Sequence, residues 1–198
     1  MLVESQAVVI RDCRVQGGVV HGSNAGGVSG LISAGEIMGC CNSADVYGMC
    51  YTGGICGWNA AMTYLQMSEC VNEGTVHGCS ETSGSMKQYA GGIIGYTLNG
   101  ITINRCRNAG NISSGEQSCN AAPVSVGGIL GGGWNDGSCD WIISNTVNTG
   151  TLIERQHSIS YIGGVVGDGA DPLLRLSNIA NFGTLLYTVQ DTYAEAAI

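Results

Sequence analysis

The sequence predicts an all-β protein, a parallel β-helix (β-solenoid) of about six turns that takes in residues 1–198 as a single repeat domain. Three observations predict it. A Gly-Gly-x-x-Gly segment recurs five times, and a Cys-x-Asn-x-Gly-x-apolar segment recurs six times in strict alternation with it. Helix signals are almost absent, while short runs of Ile, Val and Thr are broken by Gly and Asn. Repeats without a helical crossover favour a chain that coils, so that each turn pairs in parallel with its neighbours.

The first repeated element is a corner, and its copies begin at residues 13, 40, 70, 106, 146 and 179. The clearest copies are Cys70-Val71-Asn72-Glu73-Gly74 and Cys106-Arg107-Asn108-Ala109-Gly110. Because Asn and Gly tolerate the left-handed region, we expect Asn-x-Gly to provide the bend of the corner. Asn stacked on Asn also predicts a ladder of side-chain amides along the axis.

The second repeated element begins at residues 26, 53, 91, 127 and 163. Its clearest copy is Gly91-Gly92-Ile93-Ile94-Gly95. Paired glycines predict a place where backbone approaches backbone and no side chain has room.

The ten cysteines do not form a compact disulfide framework. Cys13, Cys40, Cys70 and Cys106 hold one repeat position, so we expect a reduced, structural column of small apolar side chains. Other cysteines fall in predicted loops, where disulfide pairing cannot be assigned from sequence: Cys50, Cys79, Cys119 and Cys139.

The charge balance excludes two classes of partner. With a net charge of −8 and seven Lys and Arg, the chain cannot neutralise a nucleic-acid backbone, and it disfavours anionic membrane surfaces. No apolar run is long enough for membrane insertion. The two ends carry no convincing polar cap, which favours a segment of a larger protein or end-to-end self-association.

The repeats resemble the GLUG motif of large bacterial surface proteins. Gly91-Gly92-Ile93-Ile94-Gly95 and its copies carry the resemblance, together with Asn72-Glu73-Gly74-Thr75-Val76, and it extends over residues 8–188. The resemblance implies a right-handed β-solenoid found in adhesins, in other secreted or cell-surface proteins, and in non-catalytic regions of some secreted metallopeptidases. The usual tyrosine of the corner is replaced here, as by Arg107 and Val71.

One candidate binding surface is aromatic. Trp58, Tyr96 and Trp134 follow successive copies of the Gly-Gly element, with Trp141 nearby. Ring faces next to Asn and Asp side chains are typical of a sugar-binding platform. The alternative is that the rings only cover the edge of a thin core.

A second candidate surface is a polar ridge for a protein partner. The segments 77–90, 113–126 and 153–162 follow equivalent corners and should lie side by side. They carry the candidate contact residues Lys87, Tyr89, Glu116, Arg155 and His157. The alternative is an ordinary solvated loop.

Metal and catalytic signals are weak. Asp168 and Asp171 in a Gly-rich turn are the best candidates for Ca²⁺, but they do not match the twelve-residue calcium loop, and no cofactor is predicted. No metalloprotease, serine-hydrolase or phosphate-loop motif is present, and the carboxylates are distributed by repeat. His21 and His77 fall just past equivalent corners, which suggests surface turns.

We therefore expect a non-catalytic structural or adhesive module of an extracellular or cell-surface bacterial protein. Its partner would be a surface protein or glycan of a host or neighbouring cell. The alternatives are a carbohydrate-binding module that uses the aromatic row and a polysaccharide-processing β-helix enzyme, which would need two acids and a base in one groove.

Overall fold

The computed structural model describes residues 7–60, 64–78, 87–114, 124–135, 137–155, 160–169 and 173–188. These residues form 25 β-strands and no helix. Each strand pair is parallel. The predicted all-β, parallel β-helix architecture is confirmed.

Six successive turns of chain build the solenoid. The first turn contains β1 (Val8–Arg11), β2 (Arg14–Val15), β3 (Val19–Gly26) and β4 (Ser29–Ile32), and the second contains β5 (Gly35–Met38), β6 (Cys41–Asn42), β7 (Asp45–Gly53) and β8 (Cys56–Asn59). The third contains β9 (Leu65–Ser68), β10 (Val71–Asn72), β11 (Val76–Gly78), β12 (Gln88–Gly91) and β13 (Ile94–Leu98). The fourth contains β14 (Ile101–Asn104), β15 (Arg107–Asn108), β16 (Ile112–Ser113), β17 (Val124–Gly127) and β18 (Leu130–Trp134). The fifth contains β19 (Trp141–Ser144), β20 (Val147–Asn148), β21 (Leu152–Arg155) and β22 (Ser160–Gly163), and the sixth contains β23 (Leu174–Ser177), β24 (Ala180–Asn181) and β25 (Leu185–Thr188).

Equivalent strands stack into four sheets, named here A to D. Sheet A runs β1-β5-β9-β14-β19-β23, and sheet B runs β2-β6-β10-β15-β20-β24. Sheet C has an outgoing row, β11-β16-β21-β25, and a returning row, β12-β17-β22, which meet at the long strand β7 and its partner β3. Sheet D runs β4-β8-β13-β18. The Gly-Gly element is the bend between the returning row of sheet C and sheet D.

Two apolar clusters fill the interior. The larger one lies between sheets A, B and D and contains side chains such as Ile37, Leu65, Ile94, Ile103 and Trp141. The smaller one lies within sheet C and contains Val76, Ala90, Ile112, Val124, Val126 and Leu152. Both are columns of stacked equivalents, so each turn buries its apolar residues only against its neighbours.

The left-handed residue of the corner lies three residues before the Asn at which it was predicted. The residue just before each copy of the corner element has a positive φ of 52–62° in all six turns: Asp12, Gly39, Glu69, Arg105, Asn145 and Asn178. The Asn of the corner is not in that region. Asn-x-Gly does lie at a bend, as at Asn72 and Gly74 between the strands of sheets B and C, but the expected left-handed backbone is wrong there. In this element only Gly17 and Gly18 of the first turn are left-handed, with φ of 62° and 79°.

The predicted amide ladder is confirmed, and it explains the Asn. Each buried Asn donates from Nδ2 to Oδ1 of the Asn in the next turn, and the four links from Asn42 to Asn181 measure 2.9, 2.8, 2.7 and 2.8 Å. The same Nδ2 donates to the backbone carbonyl two residues on, as from Asn108 to Gly110 at 2.8 Å. The ladder begins at Asn42 because the first turn has Val15 in that register position.

The paired glycines make room for close stacking, as predicted, and the Gly of the corner does the same. A Cβ added to Gly110 would lie 1.9 Å from the carbonyl oxygen of Gly74 in the turn below. A Cβ on Gly92 would lie 2.4 Å from Cγ of Asn108. The second Gly of the bend therefore packs against the amide ladder, and this contact explains why the two repeated elements occur together.

The cysteine column is reduced. Cys40, Cys70 and Cys106 are buried in the larger cluster, and the eight cysteines that the structure describes, including Cys50 and Cys139, are free. Cys13 is exposed because it belongs to the first turn. Cys79 and Cys119 lie outside the described residues.

The outer surface of the solenoid carries ion pairs between successive turns. Arg11 pairs with Glu36 at 3.1 Å, and Arg105 pairs with Glu69 at 2.6 Å. Exposed pairs of this kind stabilise by less than about 1 kcal/mol. In the described part of the chain no helix has the length and apolar character that crossing a membrane requires.

Candidate functional site

A cluster of aromatic side chains lies where the returning row of sheet C meets sheet D. Tyr51, Tyr89 and Tyr161 each stand two residues before the first Gly of a bend, and Trp58 and Tyr96 stand five residues after it. Tyr89 is in register with Tyr51, and Tyr96 is in register with Trp58. We call these five residues the aromatic face.

The rings contact one another across the bend and along the axis. Tyr51 stacks on Tyr96 with centroids 4.5 Å apart and an interplanar angle of 16°. Tyr89 meets Tyr96 edge-on at 4.7 Å, and Tyr51 meets Trp58 at 5.4 Å. Such contacts hold the rings in fixed positions. Tyr51, Trp58 and Tyr96 are half-buried, whereas 43% of Tyr161 is exposed.

Burial changes the acidity of this cluster. It raises the pKa of Tyr89 and of Tyr96 well above the usual phenol value. The Asp168 carboxylate raises the pKa of Tyr89 further, and the neighbouring Tyr89 phenol does the same for Tyr96. Tyr89 and Tyr96 are therefore neutral phenols at physiological pH.

The fourth turn interrupts the aromatic face with two small residues. Ser125 takes the position between Tyr89 and Tyr161, and Gly132 takes the position after Tyr96. A Cβ on Gly132 would lie 2.8 Å from Cβ of Asp168 and 2.8 Å from the Tyr89 ring. We call this gap, lined by Tyr89, Ser125, Gly132, Tyr161 and Asp168, the notch.

The ammonium group of Lys87 lies at the notch. Its Nζ is 4.5 Å from the Tyr161 ring centroid and 5.3 Å from that of Tyr89, and it pairs with Oδ2 of Asp168 at 2.5 Å. The Lys87 side chain, 29% exposed, thus spans from the third turn to the fifth.

The structure brings together only two of the four residues of the predicted aromatic platform. Trp58 and Tyr96 are adjacent, as expected. Trp134 is 55% exposed but pairs in register with Leu98, two residues beyond Tyr96, so it lies outside the cluster. Trp141 is a core residue, 1% exposed, whose Nε1 donates to the Asn99 carbonyl at 2.7 Å. Its assignment to the platform is wrong, since it begins β19 in register with Ile101.

Two of the five candidate contact residues of the polar ridge belong to other features of the structure. Tyr89 is 7% exposed and belongs to the aromatic face, and Lys87 belongs to the notch. Glu116 and His157 lie outside the described residues. Arg155 ends strand β21, and its side chain is not described. The ridge therefore stays a prediction.

The Ca²⁺ prediction has little support at Asp168. Its carboxylate pairs with Lys87, which supplies the positive charge that a cation would bring. Asp171 lies outside the described residues, and among those described no three His, Cys, Asp or Glu side chains converge as metal ligands.

Two aromatic residues of the face were missed by sequence reasoning. Tyr51 and Tyr161 share a repeat position with Tyr89, a signal that the spacing to Gly53, Gly91 and Gly163 contains. A separate stack was also missed: Tyr47 lies between His21 and His77 with centroids 4.9 and 4.2 Å apart. These histidines sit on strands β3 and β11, not in the predicted turns.

No family model and no curated protein matches the sequence. A solved structure does match: the crystal structure of a putative immunoglobulin A1 protease from Bacteroides ovatus, with a TM-score of 0.67 and 22% sequence identity. The match covers 96% of this chain and 63% of that chain. At this identity the likeness shows the fold, and the chain spans less than two thirds of its neighbour's length.

Proposed function

We propose that this solenoid is a non-catalytic adhesive and display module of a secreted or cell-surface bacterial protein, and that it binds its partner through the aromatic face. The observation that carries the proposal is the departure of this face from the repeat. The Asn, Gly and apolar residues of each turn serve stacking, whereas Tyr51, Trp58, Tyr96 and Tyr161 form an irregular surface, with the buried Tyr89 packed among them.

The geometry of the face favours recognition. Tyr and Trp offer large contact areas and lose little rotamer entropy on binding, because neighbouring rings already fix them. Leu31 extends the face into the first turn, since it is in register with Trp58 and is 50% exposed. From Leu31 to Asp168 the surface crosses five turns, which is roughly 19 Å of axis at about 4.8 Å per turn.

Two kinds of partner have specific support. A glycan would stack its sugar rings on Trp58 and Tyr161, as carbohydrate-binding modules do. An immunoglobulin is the other, because the structural neighbour is described as a putative immunoglobulin A1 protease. Both proposals place the contact on the same face.

The test is a binding screen of the purified chain against a glycan array and against immobilised immunoglobulin A1. Leu31→Glu places a charge on an exposed position of the face, so we expect it to weaken any binding at least about tenfold. Met49→Glu is the matched control, because Met49 is 38% exposed, lies in the middle of β7 and is not one of the five residues of the face. Equal binding by the two variants would contradict the assignment of the face.

A further inference from the structure

The notch contains the groups that recognise an organic cation. The ring centroids of Tyr89 and Tyr161 both lie within about 6 Å of Lys87 Nζ, the range in which an ammonium group gains cation–π attraction. Asp168 adds a carboxylate on the same side, and its side chain is 16% exposed. Ser125 and Gly132 are small, and a Cβ at Gly132 would already collide with the Tyr89 ring and with Cβ of Asp168, so Tyr89 and Asp168 come together only because this position is glycine.

In this structure the notch is occupied by an ammonium group of the chain itself. Lys87 is the single lysine among 198 residues, and its Nζ lies between the Tyr89 and Tyr161 rings. Its side chain reaches across a whole turn to do so. A partly exposed pair of this kind strengthens an interaction by only about fivefold, so a cation at high enough local concentration can displace it.

We propose that the notch is a recognition site for a lysine or arginine side chain of a protein partner, with Lys87 as its intramolecular placeholder. This inference rests on the proposed binding role of the aromatic face and names the partner's chemistry. The net charge of −8 agrees with it, because it attracts a basic protein surface. A partner that contacts the rest of the face supplies the free energy to expel Lys87.

A tethered side chain acts at an effective concentration of about a millimolar or more. An isolated cation therefore competes poorly in the wild type, and removal of Lys87 should reveal the site. The probe is Nα-acetyl-lysine methylamide, and its Nε-acetylated form is the neutral control. Binding is measured by ligand-observed NMR for Lys87→Ala, for Lys87→Met and for the wild type.

We expect Lys87→Ala to bind the charged probe at least about tenfold more tightly than the wild type and to ignore the neutral one. Lys87→Met should not bind, since its thioether fills the notch. Adding Asp168→Asn to Lys87→Ala should weaken binding by about fivefold. Uptake of both probes, or of neither, by Lys87→Ala overturns the inference.

A second measurement needs no substitution. Reductive ¹³C-methylation labels Lys87 as the only lysine, apart from the α-amino group, and ring currents from Tyr89 and Tyr161 should shift its methyl signal. A tri-arginine peptide at a concentration well above about a millimolar, enough to exceed the effective concentration of the tethered side chain, should move that signal to the position of free dimethyl-lysine. A signal already at the free position, or one that the peptide leaves in place, contradicts the inference. The Leu31→Glu screen is independent, so a failure there alone refutes only the proposed binding face.

Discussion

Replacement of Asn108 by Asp tests what the amide ladder contributes. Asn108 is fully buried, donates to Asn148 Oδ1 at 2.7 Å and to the Gly110 carbonyl at 2.8 Å, and accepts from Asn72 at 2.8 Å. Aspartate keeps the shape but removes both donors when ionised, and one when protonated. Asn148 Oδ1 and the Gly110 carbonyl, both buried acceptors, would then face a carboxylate oxygen in place of a donor. Each buried group left unsatisfied costs about 1–3 kcal/mol of folding free energy.

We expect Asn108→Asp to lower the free energy of unfolding by at least about 3 kcal/mol at pH 7. For a chain of this size that loss lowers Tm by about 6–12 °C. Burial and the two facing oxygens raise the pKa of the new carboxyl above its unfolded value of about 3.9. The variant is therefore closest to wild type below pH 4, and it loses stability as the pH rises toward the folded-state pKa.

The matched control is Asn104→Asp in the same turn. Asn104 is half-buried and accepts from Ser144 Oγ at 3.2 Å and from Asn145 Nδ2 at 2.9 Å, roles that a carboxylate also fills. Urea unfolding followed by circular dichroism at pH 4, 5, 6 and 7 compares both variants with the wild type. If Asn108→Asp loses no more stability than Asn104→Asp, or shows no additional pH dependence, the reasoning is refuted.

Three further predictions follow from the packing. Burial raises the pKa of Cys56 to about 12 and that of Cys40 to about 11, so iodoacetamide at pH 8 should label Cys13 first; mass spectrometry that finds Cys56 labelled as fast as Cys13 would contradict this. Gly110→Ala should cost at least about 2 kcal/mol because of the contact with the Gly74 carbonyl, whereas Ala44→Gly at the equivalent position of the second turn should cost about 1 kcal/mol or less; equal urea midpoints would show that stacking distance is not the cause. The raised pKa values of Tyr89 and Tyr96 favour the folded state below pH 10, and this stability is lost as the pH rises further, so absorbance at 295 nm should show these phenols ionising only on unfolding; ionisation of all tyrosines in the folded state would argue against their burial.

The architecture could be predicted from the sequence because each turn makes the same stacking contacts with its neighbours. The Asn at each corner and the paired glycines report contacts with equivalent residues one turn away, so their spacing contains the fold. The left-handed bend was missed because Asp12, Glu69 and Arg105 share no side-chain chemistry, and neighbouring turns impose their backbone conformation. Stacking against sheet A, not local propensity, fixes it.

Only part of the proposed binding face could be predicted from the sequence. Trp58 and Tyr96 stood out as aromatics after a bend, but Trp141 was misplaced because a loop before it hid its position at the start of a core strand. Alternation of Trp141 with Ile143 was the available signal. Lys87 and Asp168 are separated by 81 residues, and their meeting depends on the side chains of two different turns, which repeat spacing does not specify.

The most direct test of the proposed function is hydroxyl-radical footprinting with mass spectrometry. The oxidation rates of Trp58, Tyr161 and Trp134 are measured in the free chain and with a saturating amount of immunoglobulin A1 or of the strongest glycan from the array. Trp134, exposed on the same sheet but outside the aromatic face, is the internal control. The account predicts slower oxidation of Trp58 and Tyr161 with Trp134 unchanged. Protection of Trp134 alone, or binding with no protection of the face, would contradict it.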